Sequence, residues 1–300
     1  MYETYYHFHE KPFALAPDPA FLYATQKHHR ALTLLQYGLM NQVGFSVVTG
    51  AIGSGKTLLL RKLLQELEDD VTVGMVSHVQ CDTFEEMLRW ILLAFELDYR
   101  GMDKVELSEV FVQFLIKEYQ EGRRVVLIID EAQHLGPDAL EQLRMLSNVN
   151  VDKHQLLQLI LVGQPDLLEL LRKPELEQFV QRIGVDFYLE PLDRDEVRGY
   201  IQHRLQVAGG NPELFDEECY DIIWRSTGGI PRLINLLCDM ALVYGYAEQQ
   251  ETIGKHLVEE VIRDKQLGLS PIGKIAQATL TEDDNSVQEE RSDKKMWKYI

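Results

Sequence analysis

Residues 45–60 read FSVVTGAIGSGKTLLL, and this stretch decides the fold class. Within it Gly50, Ala51, Ile52, Gly53, Ser54, Gly55, Lys56 and Thr57 satisfy the phosphate-loop pattern G-x-x-x-x-G-K-[ST]. The apolar run 45–48 ahead of the motif suits a buried strand, and the run 56–67 behind it suits a helix. The glycines let the backbone turn tightly and aim N–H groups at phosphate oxygens, while the helix N-terminus adds a favourable dipole. Lys56 is expected to reach the β- and γ-phosphates of a nucleotide, and the Thr57 hydroxyl to ligate Mg²⁺. A chance glycine-rich turn would not require all four fixed positions between a strand and a helix.

A second landmark lies downstream, at 125–131, which reads VVLIIDE. A continuous, β-branched apolar run suits a parallel strand buried on both faces. Open α/β sheets bind ligands at the C-terminal ends of their strands, where Asp130 and Glu131 fall. Asp130 is expected to hold Mg²⁺, through water, and Glu131 to polarise the attacking water. Taken alone, the pair could simply end a strand; the phosphate loop upstream favours the catalytic reading. A further buried strand, 156–162, ends in Gly163-Gln164-Pro165, and Gln164 is a candidate sensor of the γ-phosphate or the water. A plain turn into a helix at Pro165 is the alternative.

The remaining elements fit around these strands. Residues 1–26 are aromatic and extended, with Pro12, Pro17 and Pro19 as helix breakers, and resemble an arm packed across a domain. Helical periodicity appears at 27–42, 83–97, 107–120 and 137–147, and strands are expected at 71–76 and 184–189. The segment 175–183 reads as helical and carries Arg182 just before the last strand. Four helices then follow with no strand between them, at 193–207, 216–225, 232–249 and 256–265, the pattern of a separate helical lid. Gly228-Gly229-Ile230-Pro231-Arg232 ends one lid helix and starts the next, placing Arg232 at a helix start. From 269 onward the chain is polar and patternless and is read as a disordered tail with a basic-aromatic tip.

Composition narrows the partners. The chain has 300 residues, 45% hydrophobic and 26% charged, enough for a large α/β domain and a smaller one. A formal net charge of −18 opposes non-specific nucleic-acid binding, which rests on Lys and Arg neutralising phosphates, although a local basic patch would escape this argument. Cys81, Cys219 and Cys238 are widely spaced, as small core residues of a reducing compartment are. The N-terminus has no signal-peptide pattern, and no apolar run approaches the roughly 20 residues of a spanning helix. A cytoplasmic protein, held at the inner membrane only through a partner, is expected.

A GTPase would need N-K-x-D, which does not occur, and a small-molecule kinase usually inserts its lid within the sheet domain. A helical unit after the sheet, with an arginine in it and another before the last strand, fits an AAA+ ATPase. The ordered set of motifs also resembles one branch of that class, the general secretion pathway protein A (ExeA/GspA-like) ATPases. It comprises Tyr2, Lys11-Pro12-Phe13, Pro17-Asp18-Pro19, His29-Arg30-Ala31-Leu32, Gly50 to Thr57, Asp130-Glu131-Ala132-Gln133 and Leu143-Arg144-Met145-Leu146-Ser147-Asn148. Gly163-Gln164-Pro165, Gln181-Arg182-Ile183, the run 200–205 and Gly228 to Arg232 complete it. On the Leu143 to Asn148 run the chain resembles the ATPases of exosortase and exopolysaccharide loci more closely than ExeA itself; the MSHA-pilus ATPases are another similar group, and the MuB/TniB transposition ATPases lie near the branch.

The resemblance implies a P-loop α/β/α parallel-sheet core at 45–191, preceded by an arm and helix at 1–44 and followed by an all-α lid at 192–268 and the tail at 269–300. It implies ATP and Mg²⁺ at the interface between copies of a homo-oligomer, with Arg182 as the arginine finger offered to a neighbour and Arg232 as the second sensor. The nucleotide contacts run from Gly50 through Leu58, where many relatives have a second threonine in place of Leu58. ExeA-type proteins carry a membrane helix and a peptidoglycan-binding domain after the lid; neither is recognisable here, so direct cell-wall binding is not expected. The function expected is an oligomeric ATP-driven switch acting on an envelope-assembly protein in secretion, pilus or exopolysaccharide export. A DNA-dependent ATPase of the transposition type and a nucleotide sensor with little turnover are the alternatives.

Overall fold

The computed structural model describes residues 1–266, except 69, 78–80, 82 and 152–153, together with Ile272. The expected disordered tail falls outside the described residues apart from Ile272, which is buried. Along the chain the elements are α1 (Tyr2–Tyr5), α2 (Gln26–Met40), β1 (Phe45–Gly50), α3 (Lys56–Gln65), β2 (Val71–Val76), α4 (Phe84–Ala94), α5 (Lys104–Gln120) and β3 (Arg124–Ile129). They continue with α6 (Pro137–Leu146), β4 (Asn150–Val151), β5 (His154–Gln155), β6 (Leu157–Gly163), α7 (Pro165–Leu171), α8 (Glu177–Val180) and β7 (Ile183–Leu189). The chain then becomes helical: α9 (Arg194–Val207), α10 (Glu217–Thr227), α11 (Pro231–Ala247) and α12 (Lys255–Gln266). Two units form, Ala24–Glu190 and a second made of Met1–Tyr23 with the chain from Pro191 onward. The first 44 residues, expected to form one arm-and-helix segment, are therefore shared between the units.

In the first unit five parallel strands lie in the order β2-β3-β6-β1-β7. Alternation along each strand sends residues to opposite faces. Phe45, Val47, Val125, Leu127, Leu157 and Leu159 join a core with Leu88, Phe111, Leu143, Leu167 and Phe179 from α4 to α8. Val48, Val126, Ile128, Ile160 and Val162 pack instead with Leu35 of α2 and Leu59 and Leu63 of α3. Helices on both faces explain why these strands read as unbroken apolar runs. Gln158 interrupts the pattern, and its buried amide donates to the carbonyls of Gly38 (3.1 Å) and Leu39 (3.3 Å). Those carbonyls close α2 and also accept the backbone N–H groups of Val43 (2.8 Å) and Gln42 (3.3 Å), so the buried amide is satisfied on oxygens that have a second lone pair to offer.

Three local differences from the sequence reading stand out. The segment 175–183 is not a continuous helix but a 3-10 turn (Pro174–Leu176), the single turn α8, and a strand already begun at Ile183. A short antiparallel hairpin, β4–β5, falls between α6 and β6, with strands too brief to show a period. One helical turn, α1, precedes the first proline, where the breakers do not reach.

The second unit is helical. Asp193 and Glu196 cap α9 reciprocally, and Pro231 opens α11 at its first turn, where a missing N–H costs nothing. Tyr2, Tyr6, Phe8, Phe13 and Phe21 of the arm are buried among side chains of these helices, so the arm completes their core. Cys219 and Cys238 are buried in the same cluster.

Candidate active site

The phosphate loop follows β1 at the C-terminal edge of the sheet, beside the point where strand order turns back from β6 to β7. Gly53 and Gly55 take positive φ of 80° and 102°, which lets the loop close before α3 starts at Lys56. Lys56 is buried and donates from Nζ to the carbonyls of Gly50 (2.8 Å) and Ala51 (3.0 Å), curling over its own loop. Ser54 is buried with its hydroxyl unpartnered among the described residues, whereas Ile52 is exposed at the loop tip. Thr57 and Leu58, in the first turn of α3, are half-buried. α2 brings the buried His28 alongside, its Nε2 3.7 Å from where a Cβ on Gly55 would stand.

Asp130 follows β3 directly and is buried. Its carboxylate accepts from the Thr57 hydroxyl at 3.3 Å and from the Glu131 backbone N–H at 2.9 Å. Glu131 sits in left-handed backbone, φ 57°, which turns its side chain away from the strand line and toward the end of β6. There the Gln164 amide donates to Glu131 Oε2 at 2.9 Å, and the Gln133 amide donates to the same oxygen. Gln133 in turn accepts from the Gln164 backbone N–H at 3.0 Å. Gln164 is the candidate the sequence points to, whereas Gln133 stands in the sequence only as the last residue of Asp130-Glu131-Ala132-Gln133. A Cβ on Gly163 would lie 2.9 Å from Gln133 Oε1 and 2.8 Å from Leu167, so only glycine leaves room for this contact.

Burial dominates the electrostatics. It pulls the Lys56 ammonium below its ordinary range, against the pull of Glu131 and Asp130, and pushes the Asp130 carboxyl above its own. These charged side chains sit side by side, relieved in part by one another and by the loop carbonyls.

Arg182 lies elsewhere. It precedes β7, whose first residue pairs with Phe45, so it stands at the opposite end of β1 from Gly50, roughly 17 Å along the strand direction. The side chain is exposed, donates to the Asn148 side-chain oxygen and lines a polar cavity of about 360 Å³ with Ser147, Asn150 and Gln155. Arg232 belongs to the other unit, exposed in the first turn of α11. The loop before it is tightly held: Leu192 N–H donates to Gly229 O at 2.9 Å, and a Cβ on Gly229 would meet Leu192 O at 1.9 Å.

Residues 40–171 match the family model described as AAA domain, a span that takes in the loop, Asp130, Glu131, Gln133 and Gln164. Over 254 residues the chain is 39% identical to general secretion pathway protein A of Aeromonas hydrophila, covering 84% of this chain and 46% of that protein. The chain is thus similar over most of its length to the GspA-like AAA+ ATPases and carries their AAA domain. A more limited similarity, 30% over 143 residues, joins it to the ATP-dependent target DNA activator B of Escherichia phage Mu, covering 46% of this chain and 42% of the phage protein. The AAA+ fold is also that of the Aeropyrum pernix ORC2 protein, solved as ADPNP-ADP complexes, with a TM-score of 0.65 at 17% identity over 85% of this chain and 71% of that one. The chain spans about half the length of the curated relatives it matches. No helix among the described residues is long and apolar enough to cross a membrane.

The residues present suit a Mg-nucleotide. A hydroxyl and a carboxylate of Thr57 and Asp130 form a hard-oxygen pair of the kind Mg²⁺ takes, and Lys56 and the Ser54 hydroxyl offer donors to phosphate oxygens.

Proposed function

We propose that this AAA+ ATPase binds and hydrolyses Mg-ATP at Gly50–Leu58, and that hydrolysis resets an oligomeric switch. The observation that carries the reading is Glu131: a carboxylate aimed toward the end of β6 by two amides, on the residue next to Asp130, which pairs with Thr57. Lys56, released from the Gly50 and Ala51 carbonyls, would take phosphate oxygens in their place. Thr57 and Asp130 would hold the magnesium ion, which neutralises charge on the triphosphate when bound. Glu131 would accept a proton from the attacking water, and Gln164 would orient that water from the neighbouring strand end.

Arg182 points to a shared site. Its position at the far end of β1 keeps it from its own phosphate loop, whereas its exposure leaves it available to a second copy. We assign it as the arginine finger in trans and Arg232 as the second sensor, with the homo-oligomer assembled around nucleotide. Fingers of this type accelerate related phosphoryl transfers by roughly 10³–10⁵. The similarity to general secretion pathway protein A supports a partner in secretion; pilus and exopolysaccharide assembly rest on the motif resemblance alone. The phage relative keeps a DNA-dependent ATPase as the second reading, which the net charge of −18 disfavours.

The test is a mixing experiment. Glu131→Gln is expected to bind ATP, stall hydrolysis and accumulate oligomer, and wild-type turnover in that variant would remove Glu131 as the base. Arg182→Ala and Lys56→Ala, each inactive alone, are expected to regain part of the activity when mixed, one supplying the site and the other the finger. No recovery at any ratio would place the site within a single subunit. Salt-sensitive micromolar binding to DNA would favour the second reading.

A further inference from the structure

Glu131 does not hold its position by itself. Its backbone is left-handed, its carboxylate Oε2 takes both amide donors, and one of those donors, Gln133, is also tied to the chain at Gln164. The three residues close a ring: Gln133 to Glu131 through the amide N–H, Glu131 to Gln164 through the second amide, and Gln164 back to Gln133 through its backbone N–H. Gly163 is part of the device, because a side chain there would strike Gln133 Oε1. A polar ring spanning the ends of β3 and β6, with a glycine cleared for it, is more than a surface contact.

We propose that Gln133 is a positioning residue for hydrolysis, acting through Glu131: its amide sets the carboxylate, and its carbonyl locks that setting to the strand end that carries Gln164. The inference rests on Glu131 as the base. It adds a residue with no expected role of its own and explains why the end of β3 and the end of β6 act together. A shift of Gln164 on sensing phosphate is passed to the base by two routes, one through its side chain and one through Gln133. The two arms of Gln133 have separable duties, the acceptor holding the backbone and the donor holding the base.

The experiment uses the full chain, with ATP turnover and the affinity for a fluorescent ATP analogue measured in parallel. Gln133→Met, which loses both arms, is expected to lower kcat about tenfold, the order of one hydrogen bond to a charged group, with nucleotide affinity unchanged. Gln133→Glu keeps an acceptor for the Gln164 N–H but sets a second carboxylate against Glu131 where the donor stood, and is expected to lose kcat at least as much. In the double variant Glu131→Gln/Gln133→Met, single-turnover hydrolysis is expected to be no slower than in Glu131→Gln alone, because one residue acts through the other. Wild-type kcat in Gln133→Glu would reduce Gln133 to a backbone prop, and additive losses in the double variant would show that it acts independently of Glu131; either overturns the proposal. If Gln133→Met fails to fold, the Gln133→Glu result decides. An inactive Glu131→Gln beside fully active Gln133 variants defeats this inference alone, whereas an active Glu131→Gln defeats the assignment of the base beneath it.

Discussion

Burial withdraws water from Lys56 and Asp130, and each is held away from its ordinary ionisation by that loss before any neighbour acts. The signs follow from the directions. Asp130 binds its proton more tightly folded than unfolded, so the stability it gives is present below the unfolded carboxyl range and is lost as pH rises through the folded value. Lys56 binds its proton less tightly folded, so near neutral pH its charged form also opposes folding. Asp130→Asn, which removes a dry carboxylate yet keeps an acceptor for the Glu131 N–H, is therefore expected to raise the nucleotide-free Tm at pH 7 by about 2 °C, the scale of a small ΔΔG in a chain this size. The same variant is expected to lose the extra thermal stabilisation by Mg-ATP, which a melting series with and without nucleotide would read; an unchanged or lower apo Tm would refute the first expectation. The loop, Asp130 and Glu131 were legible in the sequence because each motif is local and its chemistry sits within a few residues. The Gln133 contact was not, because the partner that gives it meaning is Gln164, thirty-one positions on. The only local hints were a polar residue two after the carboxylate and a glycine just before Gln164.

Elements carry their own signals at their ends. The capping boxes Asp103–Glu106 and Asp193–Glu196 and the glycine stop at Gly228 set helix boundaries, and the first of these starts α5 at Lys104, ahead of the apolar period that suggested 107. The lid loop shows how an element end is also a packing constraint. Gly229 has φ 71° and presses against Leu192 O, so Gly229→Ala must displace either α11 or the start of the lid segment. It is expected to cost about 1–3 kcal/mol, read as a lower denaturant midpoint for the helical unit. A wild-type midpoint would mean the loop relaxes freely. The segment 175–183 went wrong for a related reason: its apolar spacing fits a helix, but Pro174 and the pairing of Ile183 with β1 leave only one turn between them.

At the scale of the whole molecule, the arm is the decision that sequence periodicity does not contain. Its aromatic residues enter the core of helices nearly two hundred positions away, and a buried arginine secures it. Arg204 donates to the carbonyls of Pro12 and Ala14 and to the Tyr200 hydroxyl, and its guanidinium lies 4.7 Å from the centre of the Phe21 ring. Arg204→Met fills the space but leaves those carbonyls without a donor, at about 1.5–3 kcal/mol for each lost charge-assisted bond. Limited proteolysis followed by mass measurement is expected to show cleavage within 1–23 in this variant and protection in wild type; equal protection would mean the aromatic contacts suffice. What the sequence determined by itself were the features whose cause is short-range: a phosphate loop between strand and helix, strand-end carboxylates, caps, and apolar runs matched to a two-faced sheet. Only the tertiary structure decided which side chains from distant segments share a site. It set Gln133 and Gln164 on one carboxylate, put Arg182 at the far end of β1 from the loop, and gave the arm to the helical unit. Those pairings depend on sheet order and on where buried polar groups find partners, and no window of sequence spans them.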